Sequence, residues 1–348
     1  MLKTLKNFIL LSFVKLFNIF SKKNSYKQDS PRFLILSTTG LGDTLWATPA
    51  IKALKMQFKN AYLAVLTTRF GKEVLKNSPY IDDIFIFNRL FSFRTLSLWR
   101  KLKKKKIQII FHFHTSQRIV LPFAATIGAE KIIGYLGKTK GLDKILTDSF
   151  KETKLHEIEK RLQLLNALEI SAKISPPECF LLKSIQEEKR KEKWILLHPG
   201  AKDGYKCWPL ESYLDLAELY KKTYNAKIFF SVGPSDKELL KKIENASNDT
   251  IIKNLKLKDF ANTLSKMDLV ITNDTGPMHL ACALKVPTVA IFSPTNPDEC
   301  GPIADLVEVI NVQRTCSPCI LRKCRDPFCF YQIGPKDVFE RSRNFLEK

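Results

Sequence analysis

Short apolar runs alternate with helix-like segments along this chain, in two series separated by a polar stretch near its middle. Apolar runs of about four to eight residues bounded by turns are typical of buried strands, and strands that alternate with helices form parallel sheets. We predict strands at Arg32–Ser37, Ala61–Thr67, Ile84–Phe87 and Ile107–Phe113 in the first series, and at Trp194–Leu197, Lys227–Val232, Leu269–Thr272 and Thr288–Phe292 in the second. The pattern predicts an α/β protein with two Rossmann-like, doubly wound parallel sheets.

The chain is long enough for two domains. Its 348 residues suffice for two cores of about 150 residues each. Ser175-Pro176-Pro177 and the charged stretch Gln186–Lys193 interrupt the strand and helix pattern. We therefore predict a helix and linker over residues 1–30, one domain over residues 31–185 and a second over residues 186–348.

The N-terminal segment Met1–Lys23 is predicted to be an amphipathic helix. Its polar residues fall near one helical stripe, namely Lys3, Asn7, Lys15, Asn18 and Lys22. The uninterrupted apolar run Phe8–Leu11 is far shorter than the ~20 residues that span a bilayer. The favoured interpretation is a helix in the membrane interface with lysines toward anionic headgroups. The alternatives are a helix packed on the protein's own surface and a short spanning anchor.

The N-terminal segment indicates the cellular compartment of the protein, and its net charge indicates the kind of partner. Since no small-residue cleavage site follows the first apolar residues, we expect a cytoplasmic protein, peripheral on the inner membrane, with reduced cysteines. The formal charge of +22 favours an acidic partner such as nucleic acid, a phosphorylated substrate or anionic lipid. Lysines dispersed over the chain and the absence of aromatic–basic motifs argue against nucleic acid. The basic run Arg100–Lys106 fits a solvated helix face at least as well as a binding patch.

A glycine-containing loop follows the first predicted strand. Gly40-Leu41-Gly42 is not a dinucleotide fingerprint, because Leu45 stands where the third glycine would be. It is not a Walker A loop either, because no Gly-Lys-Ser/Thr follows. The remaining interpretation is a tight turn that lets the backbone approach a ligand. Asp43, in the first turn of the following predicted helix (Thr44–Lys59), is either a helix cap or a general base at the strand's carboxyl end.

Two motifs mark the second series. His198–Pro209 contains glycines, the start of a helix and Lys206, a combination that favours binding of a diphosphate. The alternative for Lys206 is a side chain that only contacts solvent. In Asn273–Pro297, small polar residues end a strand and a helix begins near His279, so phosphate is predicted on the amides of Thr275 and Gly276. For His279 a purely local hydrogen bond is the alternative.

Taken together, these motifs resemble the family-nine glycosyltransferases, the ADP-heptose:lipopolysaccharide heptosyltransferases. The resemblance rests on LGDTLWATPAIKAL, PGAKDGYKCWP and NDTGPMHLACALKVPTVAIFSPTNP, with weaker similarity at Ile127–Tyr135 and His156–Leu168. It extends in order from about Arg32 to about Val338. The motifs are specific as a set.

The resemblance implies a GT-B fold, with two domains facing a central cleft, and an inverting transfer without cofactor or catalytic metal. The first domain would bind the acceptor and the second the nucleotide-sugar. The implied residues are Asp43 as the base, Lys206, Asp274, Thr275, Gly276, His279 and Asp236 on the donor, and Gly40, Gly42 and Arg118 on the acceptor side.

The implied substrates are ADP-heptose, or a similar nucleotide-sugar, and the inner core of lipopolysaccharide, or another acidic glycolipid. In the segment after Ile107–Phe113, where basic acceptor-binding residues are expected, the chain has His114, Gln117 and Arg118, which leaves the acceptor open. The alternatives are another nucleotide-sugar for a different surface glycan, a basic nucleic-acid-binding protein, and a non-catalytic nucleotide-sugar-binding protein.

A cysteine cluster lies near the C-terminus. Cys316, Cys319, Cys324 and Cys329 fall within fourteen positions. The spacing is irregular for a zinc ribbon, so free thiols, a structural metal and a disulfide or redox pair all remain open.

Overall fold

The computed structural model describes residues 2–19, 22–87, 93–182, 190–234, 236–312, 316, 324 and 328–347. The chain forms two compact units, Met1–Ile174 (the first unit) and Ser175–Lys348 (the second unit). The predicted boundary between residues 185 and 186 falls in a segment outside the described residues.

The first unit is built on a six-stranded sheet in which all neighbouring strands are parallel. The strands run in the order β3-β2-β1-β4-β5-β6. They are β1 (Arg32–Thr38), β2 (Tyr62–Thr67), β3 (Asp83–Ile86), β4 (Ile109–Thr115), β5 (Lys131–Tyr135) and β6 (Asp148–Phe150). Six of the seven residues of β1 are buried, because the strand lies at the centre of a sheet with helices on both faces.

The second unit repeats the plan. Its parallel sheet has the order β12-β11-β10-β7-β8-β9. The strands are β7 (Trp194–His198), β8 (Lys227–Ser231), β9 (Thr250–Ile252), β10 (Leu269–Asn273), β11 (Thr288–Phe292) and β12 (Val307–Asn311). Its core joins Ile195 and Leu197 of β7 to Tyr213, Tyr220 and other buried apolar side chains.

Both sheets follow the Rossmann strand order. In each unit the first strand pairs with the second on one side and with the fourth on the other, so strands are added on opposite sides of β1 and of β7. The gap between β1 and β4, and that between β7 and β10, is called the reversal point of its sheet, because the strand order reverses there while all strands stay parallel. Loops that leave the carboxyl ends of these paired strands diverge and open a ligand crevice. The predicted α/β class and the two Rossmann-like sheets of the GT-B fold are confirmed.

Helices connect the strands in both units. Those of the first unit are α1 (Leu2–Ile19), α2 (Leu41–Trp46), α3 (Thr48–Gln57), α4 (Arg69–Leu75), α5 (Phe93–Lys104), α6 (Val120–Ala125) and α7 (Glu157–Gln163). Those of the second are α8 (Leu210–Tyr224), α9 (Lys237–Ala246), α10 (Leu257–Leu264), α11 (Gly276–Ala283), α12 (Pro297–Cys300) and α13 (Pro335–Leu346).

The predicted single helix Thr44–Lys59 is wrong, because two helices occupy this stretch. Pro49 lies in the first turn of α3 and has no N–H with which to continue the hydrogen bonding of α2. The Thr48 hydroxyl instead donates to the Leu45 carbonyl at 2.8 Å. The break ends α2 after six residues, and Asp43 lies in its first turn.

α1 packs on the first unit. Val14 is buried, and the helix contacts α6 and a 3-10 turn at Asp143–Ile145. Asn7 donates to the carbonyls of Lys140 and Gly141 at 3.2 and 3.1 Å. Asn7, one of the polar residues of the stripe, therefore faces the protein, because its amide pairs with this backbone. Among the described residues, no helix is both long and apolar enough to cross a membrane.

Candidate functional site

Asp43 lies at the reversal point of the first sheet, where the strand order reverses between β1 and β4. It follows β1, and His114 lies near the end of the adjacent β4. Oδ1 of Asp43 is 3.1 Å from Nδ1 of His114 and also 3.1 Å from a guanidinium nitrogen of Arg161. The carboxylate is 22 % exposed and makes no side-chain cap on α2, so the helix-cap interpretation does not describe it. The first unit thus brings an acid, an imidazole and a guanidinium together.

Arg161 is the buried member of this cluster. Its side chain is only 2 % exposed, and its guanidinium joins two carboxylates, Asp43 and Glu157. The indole of Trp46 lies beneath it, with 5.5 Å between the guanidinium carbon and the ring centroid. The sequence motif that contains Arg161 gave no role for it. A buried guanidinium needs carboxylate partners, so Arg161 and Asp43 hold each other in place.

The helix that carries Arg161 is fixed at its start and from the side. His156 caps α7, its Nδ1 accepting from the amide of Ile158 at 3.1 Å. The Tyr135 hydroxyl on β5 donates to the carbonyl of Lys160 at 2.9 Å. These contacts set the position of Arg161 relative to the sheet.

The environment keeps Asp43 ionised. Burial alone would raise its pKa, but the hydrogen bond from His114 and the charges of Arg161 and His114 lower the pKa to about 2. The next histidine on β4, His112, is buried with Nε2 3.0 Å from the Thr115 hydroxyl. Burial and nearby positive charge lower the pKa of His112 to about 4, so it is neutral at pH 7.

The predicted acceptor-side residues take different places. Gly40 precedes α2 with φ of −77°, so the turn does not depend on a conformation reserved for glycine. A Cβ at Gly40 would meet no atom within 4 Å, which leaves space above the backbone. Gly42 lies inside α2. Arg118 donates to the Asn7 side chain of α1 at 2.8 Å and so ties this loop to the N-terminal helix.

In the second unit, Lys206 and Asp274 meet at the corresponding reversal point. Lys206 ends a 3-10 turn after β7, and Asp274 directly follows β10, which pairs with β7. The ammonium nitrogen lies 2.5 Å from Oδ2 of Asp274, whose side chain is 7 % exposed. Burial opposes the charged ammonium, but the Asp274 carboxylate outweighs it and raises the pKa of Lys206.

Asn273 holds these two loops together, a role that the sequence did not reveal. Its amide oxygen accepts from the Trp208 amide and the Tyr213 hydroxyl, both at 3.0 Å. Its amide nitrogen donates to the carbonyl of Pro199 at 2.9 Å. Since Asn273 is fully buried, these bonds fix the Pro199–Trp208 loop against the end of β10.

The remaining predicted donor residues begin at the N-terminus of α11. Thr275 is the extended residue before the helix and makes no side-chain cap, and Gly276 is the first helical residue. The first-turn amides of α11 therefore receive no cap from the Thr275 side chain and are oriented to bind an anion. His279 lies one turn further and is buried.

Asp236 lies on a neighbouring loop of the second unit. Its carboxylate accepts from the amide of Gly233 at 3.1 Å, and a Cβ added to Gly200 would come within 2.7 Å of it. Together with Pro199–Ala201 and Cys207–Glu211, Asp236 lines a cavity of about 640 Å³. The structure thus brings Asp236 to the loop that carries Lys206.

The cysteine cluster is only partly described. Cys316 and Cys324 are half-buried, and Cys329 is buried with its Sγ accepting from the Ser293 hydroxyl at 2.9 Å. Cys319 lies outside the described residues. In the part of the chain that the structure describes, no three His, Cys, Asp or Glu side chains are grouped to hold a metal ion.

The sequence pattern of glycosyltransferase family 9 (heptosyltransferase) matches residues 95–328. The chain belongs to this family. It is therefore a glycosyltransferase, as the motifs predicted.

Similar proteins extend over nearly the whole chain. Lipooligosaccharide heptosyltransferase 2 of Campylobacter jejuni is 28 % identical over 329 residues, covering 89 % of this chain and 96 % of the relative. A family 9 glycosyltransferase from Veillonella parvula has a TM-score of 0.75 at 19 % identity, covering 94 % of this chain and 100 % of its own. ADP-heptose LPS heptosyltransferase II of E. coli has a TM-score of 0.75 at 18 % identity, covering 91 % and 98 %. The two solved structures share the fold of this family 9 chain.

Proposed function

We propose that this family 9 glycosyltransferase transfers a heptose from ADP-heptose to the inner core of a lipopolysaccharide or lipooligosaccharide, with inversion at the anomeric carbon. The observation that carries the proposal is the pair of charged clusters, Asp43 with His114 and Arg161 in the first unit and Lys206 with Asp274 in the second, each at the reversal point of its sheet. Relatives named for heptose transfer to lipooligosaccharide and for ADP-heptose support the choice of substrates.

The first unit supplies what the acceptor needs. A sugar hydroxyl becomes a much stronger nucleophile as its proton is removed, and in our proposal Asp43 is the base that takes this proton. Arg161 keeps Asp43 charged and fixed, so little reorganisation is needed when the acceptor binds. Gly40 leaves open space next to this carboxylate's helix, Gly42 lies within that helix, and Arg118 lies in the loop after β4. We assign all three to the acceptor side.

The second unit supplies what the donor needs. As the bond between the sugar and the diphosphate breaks, negative charge grows on the leaving diphosphate. Lys206 and the first-turn amides of α11, from Gly276 onward, would take up this charge. Asp274 would bind sugar hydroxyls, and Thr275, His279 and Asp236 would line the donor. A single displacement of this kind inverts the anomeric carbon and needs no nucleophile from the protein.

A donor screen read by product mass tests the proposal. The purified protein is incubated with truncated lipopolysaccharide and, separately, with ADP-heptose, ADP-glucose, UDP-glucose and GDP-mannose. We expect a product heavier by one heptose with ADP-heptose, and an inverted anomeric linkage by NMR. A product formed only with another nucleotide-sugar would replace the donor assignment, and no product with any donor would refute the transferase proposal.

We further propose that α1 binds the cytoplasmic face of the inner membrane. The side opposite its packed face exposes a row of large apolar residues, each 53–68 % exposed: Leu5, Phe8, Ile9, Phe13 and Leu16. At 3.6 residues per turn, the exposed Lys6 and Lys15 fall at the two borders of this row. An apolar strip flanked by lysines matches the acyl and anionic headgroup layers of a membrane surface.

Sedimentation with vesicles tests the membrane proposal. We expect the protein to bind vesicles containing phosphatidylglycerol more tightly than pure phosphatidylcholine vesicles, and Phe8→Ser with Phe13→Ser to weaken binding at least tenfold, because each Phe contributes about 1.5–3 kcal/mol on burial. The control is Met56→Ser, which removes an apolar side chain of similar exposure from α3. Equal binding by the double variant and the control would refute the role of α1.

A further inference from the structure

α5 carries most of the basic run Arg100–Lys106, for which the proposed transfer reaction gives no role. Its inner side is apolar, and Leu102 is fully buried in the core that also contains Val14 of α1. The indole nitrogen of Trp99 donates to the Thr126 hydroxyl at 3.0 Å. These contacts fix α5 on the first unit and leave its basic residues outside the core.

A row of aromatic rings joins α5 to the apolar strip of α1. Phe13 belongs to the exposed strip, and its ring centroid is 5.9 Å from that of Phe17. Phe17 in turn meets Trp99 edge-on, with 5.6 Å between the ring centroids. Leu96, about one turn before Trp99, is 47 % exposed. The apolar strip of α1 therefore continues through half-buried rings onto α5.

Cations border this apolar surface. The ammonium nitrogen of Lys103 lies 5.6 Å from the ring centroid of Phe17 and 4.6 Å from that of Trp99. Arg100 follows Leu96 by four residues and so lies on the same side of α5. Positive charge and exposed apolar side chains thus share one side of the helix.

These cations have no anionic partner in the described part of the chain. Arg100, Lys103 and Lys104 are exposed, and no described carboxylate forms an ion pair with them. Lys105 differs, because its ammonium nitrogen lies 2.6 Å from a carboxylate oxygen of Asp83. The basic side of α5 is therefore available to an anion from outside the protein.

We propose that α5 is a second membrane-binding element, in which Arg100, Lys103 and Lys104 bind the phosphates of anionic phospholipids beside the apolar strip of α1. This role rests on the proposed membrane binding of α1 and goes beyond it, because α5 supplies most of the preference for anionic lipid. A membrane surface offers phosphates next to acyl chains, and a tryptophan with neighbouring lysines is typical of that boundary. Nucleic acid fits less well, since its phosphate backbone offers no partner for the apolar strip.

Vesicle sedimentation of a charge variant tests this assignment. Arg100→Gln with Lys103→Gln and Lys104→Gln removes the charges but keeps residues that favour a helix. We expect this α5 variant to bind vesicles of equal parts phosphatidylglycerol and phosphatidylcholine at least about tenfold more weakly than the wild type, because each basic residue near an anionic surface adds to binding. High salt should remove most of this difference by screening. On pure phosphatidylcholine vesicles, where α1 acts alone, the two proteins should bind equally.

The matched control is Lys59→Gln with Lys72→Gln and Lys76→Gln, which removes as many charges from exposed lysines of the first unit outside α1 and α5. It should bind the mixed vesicles within about threefold of the wild type, because charges far from the membrane surface are screened. An equal loss in the control and the α5 variant would show that only net charge matters, and would overturn the role of α5. Binding of the α5 variant as tight as that of the wild type would do the same.

Phosphates of the acceptor are a second source of anions, and transfer to truncated lipopolysaccharide in neutral detergent separates them from phospholipid. An α5 variant that keeps its vesicle binding but has a raised KM for this acceptor would assign the cations to the acceptor and overturn the membrane assignment. A wild type that binds neither kind of vesicle overturns the membrane binding of α1 and the role of α5 together. Transfer by that wild type in detergent would leave the proposed glycosyl transfer standing.

Discussion

Replacing Asp43 by Asn should destabilise the first unit by an amount that follows from its charge environment. The pKa of Asp43 is about 2 in the folded protein, against an ordinary value of 3.8. At about 1.4 kcal/mol per pH unit, this gap corresponds to about 2 kcal/mol of folding free energy. Because Asp43 is mostly buried, screening by solvent reduces this folding free energy only slightly.

The sign of the pH dependence is fixed by the direction of the shift. A carboxyl whose pKa is lower in the folded state stabilises the fold above the unfolded pKa, and loses this effect as the pH falls through 3.8 toward 2. The difference in unfolding free energy between wild type and Asp43→Asn should therefore be about 2 kcal/mol at pH 7 and should shrink to about half of that near pH 3.

Urea unfolding followed by circular dichroism, at pH 7 and at several values down to pH 3, measures this difference. Asp29→Asn is the control, because Asp29 is exposed in the segment before β1, and its unfolding curve should match that of the wild type at each pH. Equal stability of wild type and Asp43→Asn at pH 7 would refute the reasoning. So would a difference that stays constant as the pH falls.

Two further predictions concern the second unit. Lys206→Met should weaken ADP binding at least tenfold, measured by isothermal titration calorimetry, because the diphosphate loses a cation and lies near an Asp274 carboxylate without its lysine. The control is Lys202→Met, an exposed lysine of the same loop, which should bind ADP as tightly as the wild type. An equal affinity of Lys206→Met and the wild type for ADP would contradict the donor assignment. Asn273→Leu should lower the free energy of unfolding of the second unit, measured by urea unfolding, by about 2–3 kcal/mol, because the buried partners of Asn273 lose their hydrogen bonds. A change below about 0.5 kcal/mol would show that Asn273 does not hold the loop in place.

Strands with continuous apolar runs were predictable from the sequence. β1, β7 and β11 are central or inner strands, and parallel sheets bury both faces of such strands. The three-residue β6 and β9 were not predicted, because they lie at the sheet edges, where pairing with a neighbour rather than an apolar run defines the strand.

The candidate site was predictable only in part. Asp43 and Lys206 follow strands, so the rule that ligands bind at strand carboxyl ends selected them from the sequence. Arg161 lies 118 positions from Asp43 and His114 lies 71, and no local pattern shows that tertiary packing brings the three together. Asn273 was missed because a buried amide that braces two loops looks the same in sequence as a polar residue that ends a strand.

The central claim is that acceptor activation belongs to the first unit and nucleotide binding to the second. Asp43→Ala, assayed in parallel for ADP affinity by calorimetry and for heptose transfer by product mass, tests it most directly. We predict an unchanged Kd for ADP and a loss of transfer of about 100- to 10,000-fold. Transfer at the wild-type rate, or a loss of ADP binding equal to the loss of transfer, would contradict the claim.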